Sequence, residues 1–324
     1  MKNRLSTRVF GLLALFAFYG FILQAQERND VIKAYNEGAK VMQTDFPAAI
    51  KAFENAITLA NKVGETAKDL KQNAEKVLPG LYVKVALSAV NEKKPAQEVV
   101  QAAKTALQVS EKLNNATGKE NANRILVQGY NSLTAELFGK KDYDNALKTT
   151  DSLLSINPEF VSAINNRALI YRAQGNSDAF EKTVDTYIEK VKKSNDTVKA
   201  KQASTMALEY FRAAGSKASQ ANNLPDALSL LNRAAKYGND KDLFYYFSDV
   251  YNKQKNFDKG LEFGQKGLAM ETGQPEAKAK FYFQIATAQF GKGQTAEACA
   301  SYKNAMFGAF AEASKVQIGN LKCK

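Results

Sequence analysis

Residues 130–158, YNSLTAELFGKKDYDNALKTTDSLLSINP, contain a pattern that the next part of the chain repeats. Large apolar residues recur at helical spacing from Tyr130 to Leu137, and a turn is expected at Lys140–Lys141 before a second run that includes Ala146. The stretch INNRALIYRAQGNSDAFEKTVDTY begins the same scheme again 34 residues after Tyr130. Apolar positions at i, i+3, i+4 and i+7 on both sides of a turn predict a repeated pair of helices.

The second helix of each unit follows a pattern of side-chain size in which large and small residues alternate. Small residues let two helices approach closely, and large ones fill the gaps between them. Since one helix pair cannot bury its apolar face alone, neighbouring pairs must stack. Five further segments carry the pattern: DFPAAIKAFENAI (45–57), KPAQEVVQAAKTAL (94–107), NNLPDALSLLNRAA (222–235), KNFDKGLEFGQKGL (255–268) and GQTAEACASYKNAM (293–306).

The period, the paired helices and the size pattern resemble those of the tetratricopeptide repeat family. This resemblance implies an all-α fold, a right-handed α-solenoid of about seven helix pairs in residues 26–306, with a C-terminal capping helix in residues 307–324. The repeats are expected to start near residues 30, 80, 127, 161, 208, 241 and 279.

Several of these steps approach 50 residues, which predicts first helices extended by several turns. Pro79 lies in one of these long helices and is expected to kink it or to start a new one. Residues 192–201, KKSNDTVKAK, form the most loop-like interior linker.

The N-terminus has the composition of a secretory signal peptide. Lys2, Arg4 and Arg8 precede an apolar run of 15 residues, VFGLLALFAFYGFIL, and then QAQ. This order predicts cleavage after Ala25 and an exported, periplasmic protein. An uncleaved anchor is the alternative, and it is the only route to membrane contact. No cysteine follows the run, so a lipoprotein is not expected.

Composition argues against an enzyme. The 324 residues contain no histidine, which excludes Ser-His-Asp and Cys-His catalytic sets and His-ligated metals. No phosphate-binding or dinucleotide-binding glycine motif is present, and GKGQT at 291–295 is expected to be a turn. Neither a cofactor nor a metal is expected. The formal net charge is +12, but lysines alternate with acidic residues and export is predicted, so nucleic acid is not an expected partner.

Two cysteines, Cys299 and Cys323, lie 24 residues apart near the C-terminus. Export permits a disulfide between them, and a helix-turn-helix could bring them together. Two free thiols are the alternative, because the bond depends on a geometry that spacing does not supply.

In tetratricopeptide arrays the first helix of each repeat lines a concave groove, and the resemblance carries those positions onto this chain. In the stretch DLFYYFSDVY (242–251), Phe244, Phe247 and Tyr251 are expected in the core, whereas Tyr245 and Phe283 hold equivalent groove positions. The candidate partner-binding residues are Asn131, Asn165, Arg172, Arg212, Tyr245, Asp249, Phe283 and Phe290.

The function that follows is an exported scaffold or adaptor that binds a protein or peptide partner of the cell envelope in its groove. Three alternatives stay open. The chain could belong to an outer-membrane assembly or nutrient-uptake complex, it could be an envelope enzyme or cell-wall-binding module, or it could be a structural oligomer.

Overall fold

The computed structural model describes residues 26–324, which are helical and include no β-strand. The signal-peptide interpretation of residues 1–25 lies outside the described residues. The helices are α1 (26–41), α2 (Phe46–Val63), α3 (Lys68–Asn91), α4 (Ala96–Lys112), α5 (Ala116–Gly139), α6 (Tyr143–Ile156), α7 (Val161–Gln174), α8 (Ser177–Lys193), α9 (Thr197–Gln220), α10 (Leu224–Ala235), α11 (Lys241–Lys253), α12 (Phe257–Ala269), α13 (Pro275–Gly291), α14 (Thr295–Asn304) and α15 (Ala311–Asn320). Two 3₁₀ helices, Gly64–Ala67 and Gly308–Phe310, lie between them.

Along residues 26–324 the helices follow one another as seven pairs, α1/α2 to α13/α14, and α15 comes last. This confirms the predicted all-α fold with seven helix pairs and a C-terminal helix. The chain divides into two compact units, one ending at Ile170 and the other beginning at Tyr171. From α2 to α6 in the first unit and from α8 to α15 in the second, each helix packs against the next, and the first helices α3 and α5, α9 and α11, and α11 and α13 also contact each other.

The turns inside the pairs have a recurring backbone conformation. A residue with positive φ ends the first helix, and it is usually Lys, Asn or Gly, as at Lys141 (φ 61°), Asn222 (φ 59°) and Gly175 (φ 72°). The residue that follows caps the second helix, and at Asp142 its side chain accepts a hydrogen bond from the backbone N–H of Asn145. The turn predicted at Lys140–Lys141 is therefore present.

The core of the first unit consists of layers between successive helices. Ala49, Phe53 and Ala56 of α2 have relative exposures of 1% or less, as the size pattern requires. Phe53 packs on the ring of Tyr35 from α1, with 5.3 Å between ring centroids. The next layers are a cluster of α2 and α3 residues and a cluster that joins α3, α4, α5 and Leu153 of α6.

Aromatic residues dominate the core of the second unit. Phe247 and Tyr251 are buried and Phe244 is half-buried, and all three pack around Phe263 of α12 at centroid distances of 4.8, 5.6 and 5.9 Å. These are the three aromatic residues of DLFYYFSDVY that were expected in the core. Leu243, on the same helix, is completely buried as well.

Helix α12 contacts its neighbours through three buried glycines, Gly260, Gly264 and Gly267. A Cβ atom on Gly264 would lie 2.9 Å from Cγ1 of Ile285 in α13, and one on Gly267 would overlap the ring of Phe281. Such close approach is available only to glycine, so these positions set the distance between α12 and the helices on either side.

The repeat boundaries agree with the predicted ones in some places and differ in others. Helices α7 and α11 begin at Val161 and Lys241, the predicted residues. The predicted starts near 80, 127 and 208 lie inside α3, α5 and α9, each of which has 24 residues. The expected long first helices are present, but they extend upstream of the predicted starts.

Two local predictions are corrected in part. Helix α3 continues from Lys68 to Asn91 through Pro79, so of the two outcomes expected there, a kink or a new helix, the new helix is excluded. The proline is buried, and the start of α5 packs on it, since a Cβ on Gly118 would lie 3.1 Å from Pro79 Cβ. Packing therefore compensates for the backbone hydrogen bond that proline cannot donate. The linker expected at 192–201 is reduced to Ser194–Asp196, because Asp196 caps α9.

Cys299 of α14 and Cys323, which follows α15, form a disulfide with 5.7 Å between their Cα atoms. Of the two possibilities that the sequence left open, the structure contains the bonded one. The bond ties the end of the chain to the last helix pair.

We expect Gly267→Ala to lower the free energy of unfolding by roughly 1–3 kcal/mol, because the added methyl group must displace the fully buried ring of Phe281. Gly80→Ala is the control: nothing lies within 4 Å of its added methyl group, and alanine is the better helix former, so stability should rise by about 0.5–1 kcal/mol. Urea unfolding followed by circular dichroism measures both. Equal effects in the same direction would contradict the close-packed role of Gly267.

Candidate interaction surfaces on the first helices

The structure brings three of the predicted groove residues together in the second unit. Arg212 lies on α9, and Tyr245 and Asp249 lie on α11, within one polar face that also includes α13. This face contains two sets of hydrogen bonds and ion pairs that join consecutive first helices.

The first set begins with Arg212. Its guanidinium forms an ion pair with Asp240, the N-cap of α11, and lies 3.9 Å from a carboxylate oxygen of Asp242. Asp242 in turn accepts a 2.5 Å hydrogen bond from Lys280 Nζ on α13. Arg212 therefore already has two carboxylate partners on the next repeat, Asp240 and Asp242.

The second set is centred on Asp249. Its carboxylate accepts hydrogen bonds from Ser219 Oγ of α9 at 2.6 Å and from Gln284 Nε2 of α13 at 3.4 Å. Lys253 Nζ lies 2.8 Å from the same carboxylate and also donates to Ser219. The Asp249 carboxylate therefore already has three protein donors.

Tyr245 lies between these two sets and is half-buried. Its ring packs edge-on against Phe281, at 6.1 Å between centroids, and Lys280 Nζ lies 5.5 Å from its centroid. Burial raises the pKa of the Tyr245 phenol, and the negative charge of Asp249 adds to the effect. The ring contributes more to the contact between α11 and α13 than to open surface.

Phe283 and Phe290, both on α13, have opposite surroundings. Phe283 packs against Tyr302 of α14 and Phe310 of the last 3₁₀ helix, with centroid distances of 5.5 and 5.4 Å. It is covered by the end of the chain and is not an open counterpart of Tyr245, although both had been placed at the same repeat position. Phe290 is 48% exposed at the end of the helix.

In the first unit, Asn131 of α5 accepts a 3.4 Å hydrogen bond from Asn166 Nδ2 of α7. Asn165 is half-buried, and it is Asn166 that lines the adjacent cleft. The cleft has a volume of about 130 Å³, smaller than the sites of most small-molecule ligands. Its other lining residues are Thr134, Ala135, Phe138, Leu169 and Ile170.

Arg172 leads to a larger cleft in the second unit, of about 420 Å³. The other lining residues all come from one face of α9: Met206, Glu209, Tyr210, Ala213, Ala214 and Lys217. Their numbers differ by steps of three, four and seven, which place them on one stripe of the helix. We call this feature the α9 cleft.

The floor of the α9 cleft is apolar, and ring packing and a hydrogen bond fix the position of its tyrosine. The ring of Tyr210 packs on buried Phe180 at 4.7 Å, and its hydroxyl lies 2.9 Å from Ser177 Oγ. Met206 and Ala214 are half-buried beside it. The site is therefore a shaped surface on a stiff helix, and not a flexible loop.

The rim of the α9 cleft has three exposed charges, Arg172, Glu209 and Lys217. Within residues 26–324, none of the three forms an ion pair or a side-chain hydrogen bond. Arg212 and Asp249 on the neighbouring face differ in this respect, since both are already paired.

Of the residues that line the α9 cleft, only Arg172 was predicted as a binding residue. The signal was present, because residues 206, 209, 213 and 217 have helical spacing. The predicted repeat started near residue 208, whereas α9 begins at Thr197, so these residues were not recognised as one stripe of a single helix.

Two other clefts, both in the first unit, include residues of second helices. One is lined by α1 and α2, and the other by α3, α4 and the loop after α4. Among the residues that the structure describes, no cluster of Cys, Asp or Glu could hold a metal ion. In the same part of the chain, no helix is both long and apolar enough to span a bilayer.

Asp242 should make stability depend on pH. Partial burial alone would raise the pKa of its carboxyl group, but the hydrogen bond and charge of Lys280, with the charges of Arg212 and Lys241, hold the pKa below its ordinary value. A depressed pKa gives stabilisation that is present above the unfolded-state value and is lost as pH falls through the folded-state value. At about pH 6, Asp242→Asn should therefore cost about 0.5–1 kcal/mol, and at about pH 3 the difference from wild type should shrink.

Asp258→Asn is the matched control. Asp258 also lies in the first turn of a helix and pairs with a lysine, Lys292, but its side chain is 82% exposed. We expect little change at either pH, because exposed pairs are screened by water. Urea midpoints at both pH values test this, and equal losses for the two variants would show that burial of the Asp242 pair is not the cause.

Comparison with known proteins gives only distant similarities. No protein-family model matches the sequence, and no curated protein does. Solved structures that align include the MamA protein, with 21% identity over 61% of this chain and 97% of MamA at a TM-score of 0.33. Another is a tetratricopeptide repeat protein from Parabacteroides merdae, with 17% identity over 92% of this chain and 99% of that protein at a TM-score of 0.28. A third, a thermophilic protein of this type from Thermus thermophilus, has 20% identity over 61% of this chain and 100% of that protein, also at 0.28.

The fold is therefore established by features of the chain itself. The 34-residue step from Tyr130 to Ile164, the consecutive helix pairs and the buried small residues at their contacts occur together, as the repeat pattern predicts. The chain therefore has the all-α architecture of consecutive helix pairs that the repeat pattern predicts.

Proposed function

We propose that this protein is an exported scaffold that holds a protein or peptide partner against the first helices of its repeats, with the α9 cleft as a principal contact. Stacked helix pairs present extended surfaces on which a partner can lie without any chemical step. Export is part of the proposal because residues 1–25 have a signal-peptide pattern, and the periplasm is the expected compartment.

The observation that carries the proposal is the contrast between two neighbouring surfaces. On the face formed by α9, α11 and α13, the charged groups are already bound to each other. In the α9 cleft, an apolar floor is surrounded by three exposed charges with no partner in the described residues. An apolar centre with a polar rim is the usual composition of a protein-binding surface.

The volume and shape of the α9 cleft favour a chain segment over a flat domain. A volume of about 420 Å³ can take one or two side chains, and the stripe from Met206 to Lys217 continues along the helix. The rim has charges of both signs, so an apolar side chain with flanking polar groups would fit it. No residue of the cleft needs to act as a catalyst.

A photo-crosslinking residue at position 213, in the exposed part of the cleft, tests the proposal in cells. The same residue at position 265, exposed on the second helix α12, is the control. We expect one protein to be captured from position 213 and not from position 265. Equal capture from both positions would contradict a specific site, and light scattering of the purified protein would show whether the captured species is a second copy of the chain.

The captured partner then allows affinity to be measured. Lys217→Glu reverses a rim charge that has no partner in the described part of the chain, and we expect it to weaken binding roughly 5–30-fold. Lys201→Glu is the matched control, because Lys201 is exposed on the same helix about 160° away around its axis. Isothermal titration calorimetry measures both. Equal weakening by the two variants would mean that net charge, and not the cleft, controls binding.

A further inference from the structure

The last eighteen residues fold back over the final helix pair. Phe310 packs on Phe283 of α13, with 5.4 Å between ring centroids. Ile318 of α15 and Leu321, which follows the helix, pack against the cluster formed by Ala286, Ala298 and Tyr302. The end of the chain therefore covers an aromatic surface on α13 and α14.

Packing alone holds this cover weakly. Helix α15 has ten residues, and Ser314 is its one buried residue. The hydroxyl of Ser314 has no hydrogen-bond partner, and Val316 is 58% exposed. Few buried apolar contacts on a short helix are typical of segments that open locally at small cost in free energy.

The Cys299–Cys323 disulfide supplies the strongest connection between this helix and the rest of the unit. Cys299 lies on α14, and Cys323 is the penultimate residue of the chain, so the bond closes a loop that contains the whole of α15. Both cysteines are partly exposed. A reductant can therefore reach the bond without prior unfolding of the helix pair.

We infer that residues 307–324 form a redox-controlled cover, closed by the disulfide and released by its reduction. The thiolate of a dithiol reductant attacks one sulfur of the bond, which forms a mixed disulfide and releases the other cysteine as a thiol. The second thiol of the reductant then attacks the reductant's own sulfur in the mixed disulfide and releases the remaining cysteine. Two electrons and two protons pass to the protein, which leaves Cys299 and Cys323 as thiols and the reductant as a disulfide. Reoxidation reverses the step.

Release would expose an aromatic surface at the end of the second unit. Phe283 would lose its contact with Phe310, and the cluster of Ala286, Ala298 and Tyr302 would lose Ile318 and Leu321. The α13/α14 pair would persist, because Ala286, Ala298 and Tyr302 pack on each other between the two helices. This inference does not depend on the α9 cleft, and either can fail without the other.

Amide hydrogen exchange on the full chain tests the inference. Dithiothreitol is the probe reductant, and we expect exchange in residues 311–321 to accelerate roughly tenfold or more on reduction, since the loop constraint is removed. Amides of α11 and of the α13/α14 pair should keep their protection. Removal of the reductant and reoxidation should restore the slow exchange.

The double variant Cys299→Ser/Cys323→Ser is the control. It should exchange like the reduced wild type and should not respond to dithiothreitol. Unchanged protection of residues 311–321 on reduction would overturn the inference, because packing would then hold the cover by itself. Loss of protection in α13 and α14 together with α15 would also overturn it, since the bond would then stabilise the whole helix pair and not a separate cover.

Discussion

The close approach of helices at small residues is the constraint on which the rest of this structure depends. Ala49 and Ala56 of α2, Ala227 and Ala234 of α10, and the glycines of α12 are buried where two helices touch. A larger side chain at such a position would separate the helices and open gaps that no neighbouring residue fills. The aromatic residues, Phe53 and Phe247 among them, pack into the spaces that this spacing leaves. The close spacing of the helices also determines which face of each first helix remains uncovered.

Polar contacts between consecutive first helices have a different role from the apolar core. Arg212, Asp242 and Lys280 connect α9, α11 and α13 in series, and Asp249 forms a second series through Ser219 and Gln284. These groups are partly shielded from water, which strengthens each attraction and makes an unpaired charge costly. They fix the side-chain positions on that face. The three charged residues at the rim of the α9 cleft, Arg172, Glu209 and Lys217, have no such partners among the described residues, which is the difference on which the proposed binding site depends.

The residues at which the repeats start were harder to predict than the number of repeats. The spacing of apolar residues gave seven pairs correctly, but the starts near 80, 127 and 208 lie inside 24-residue helices. The long first helices were expected, but their upstream turns were not assigned to the repeats, and Pro79 lies inside α3 with the start of α5 packed on it. The same shift in register hid the α9 cleft. Phe283 shows the limit for single residues, since an equivalent repeat position cannot reveal that Phe310 lies on top of it.

By itself, the sequence determined the all-α class, the pairing of the helices and the identity of the buried small and aromatic positions. These follow from periodicity and side-chain size, which are local properties that can be read along the chain. Only the tertiary structure decided which exposed groups are already paired and where α9 leaves an open cleft. It also decided that Cys299 and Cys323 are bonded to each other. Each of these depends on side chains brought together from separate helices, and distances between them are set by packing, which no spacing in the sequence records.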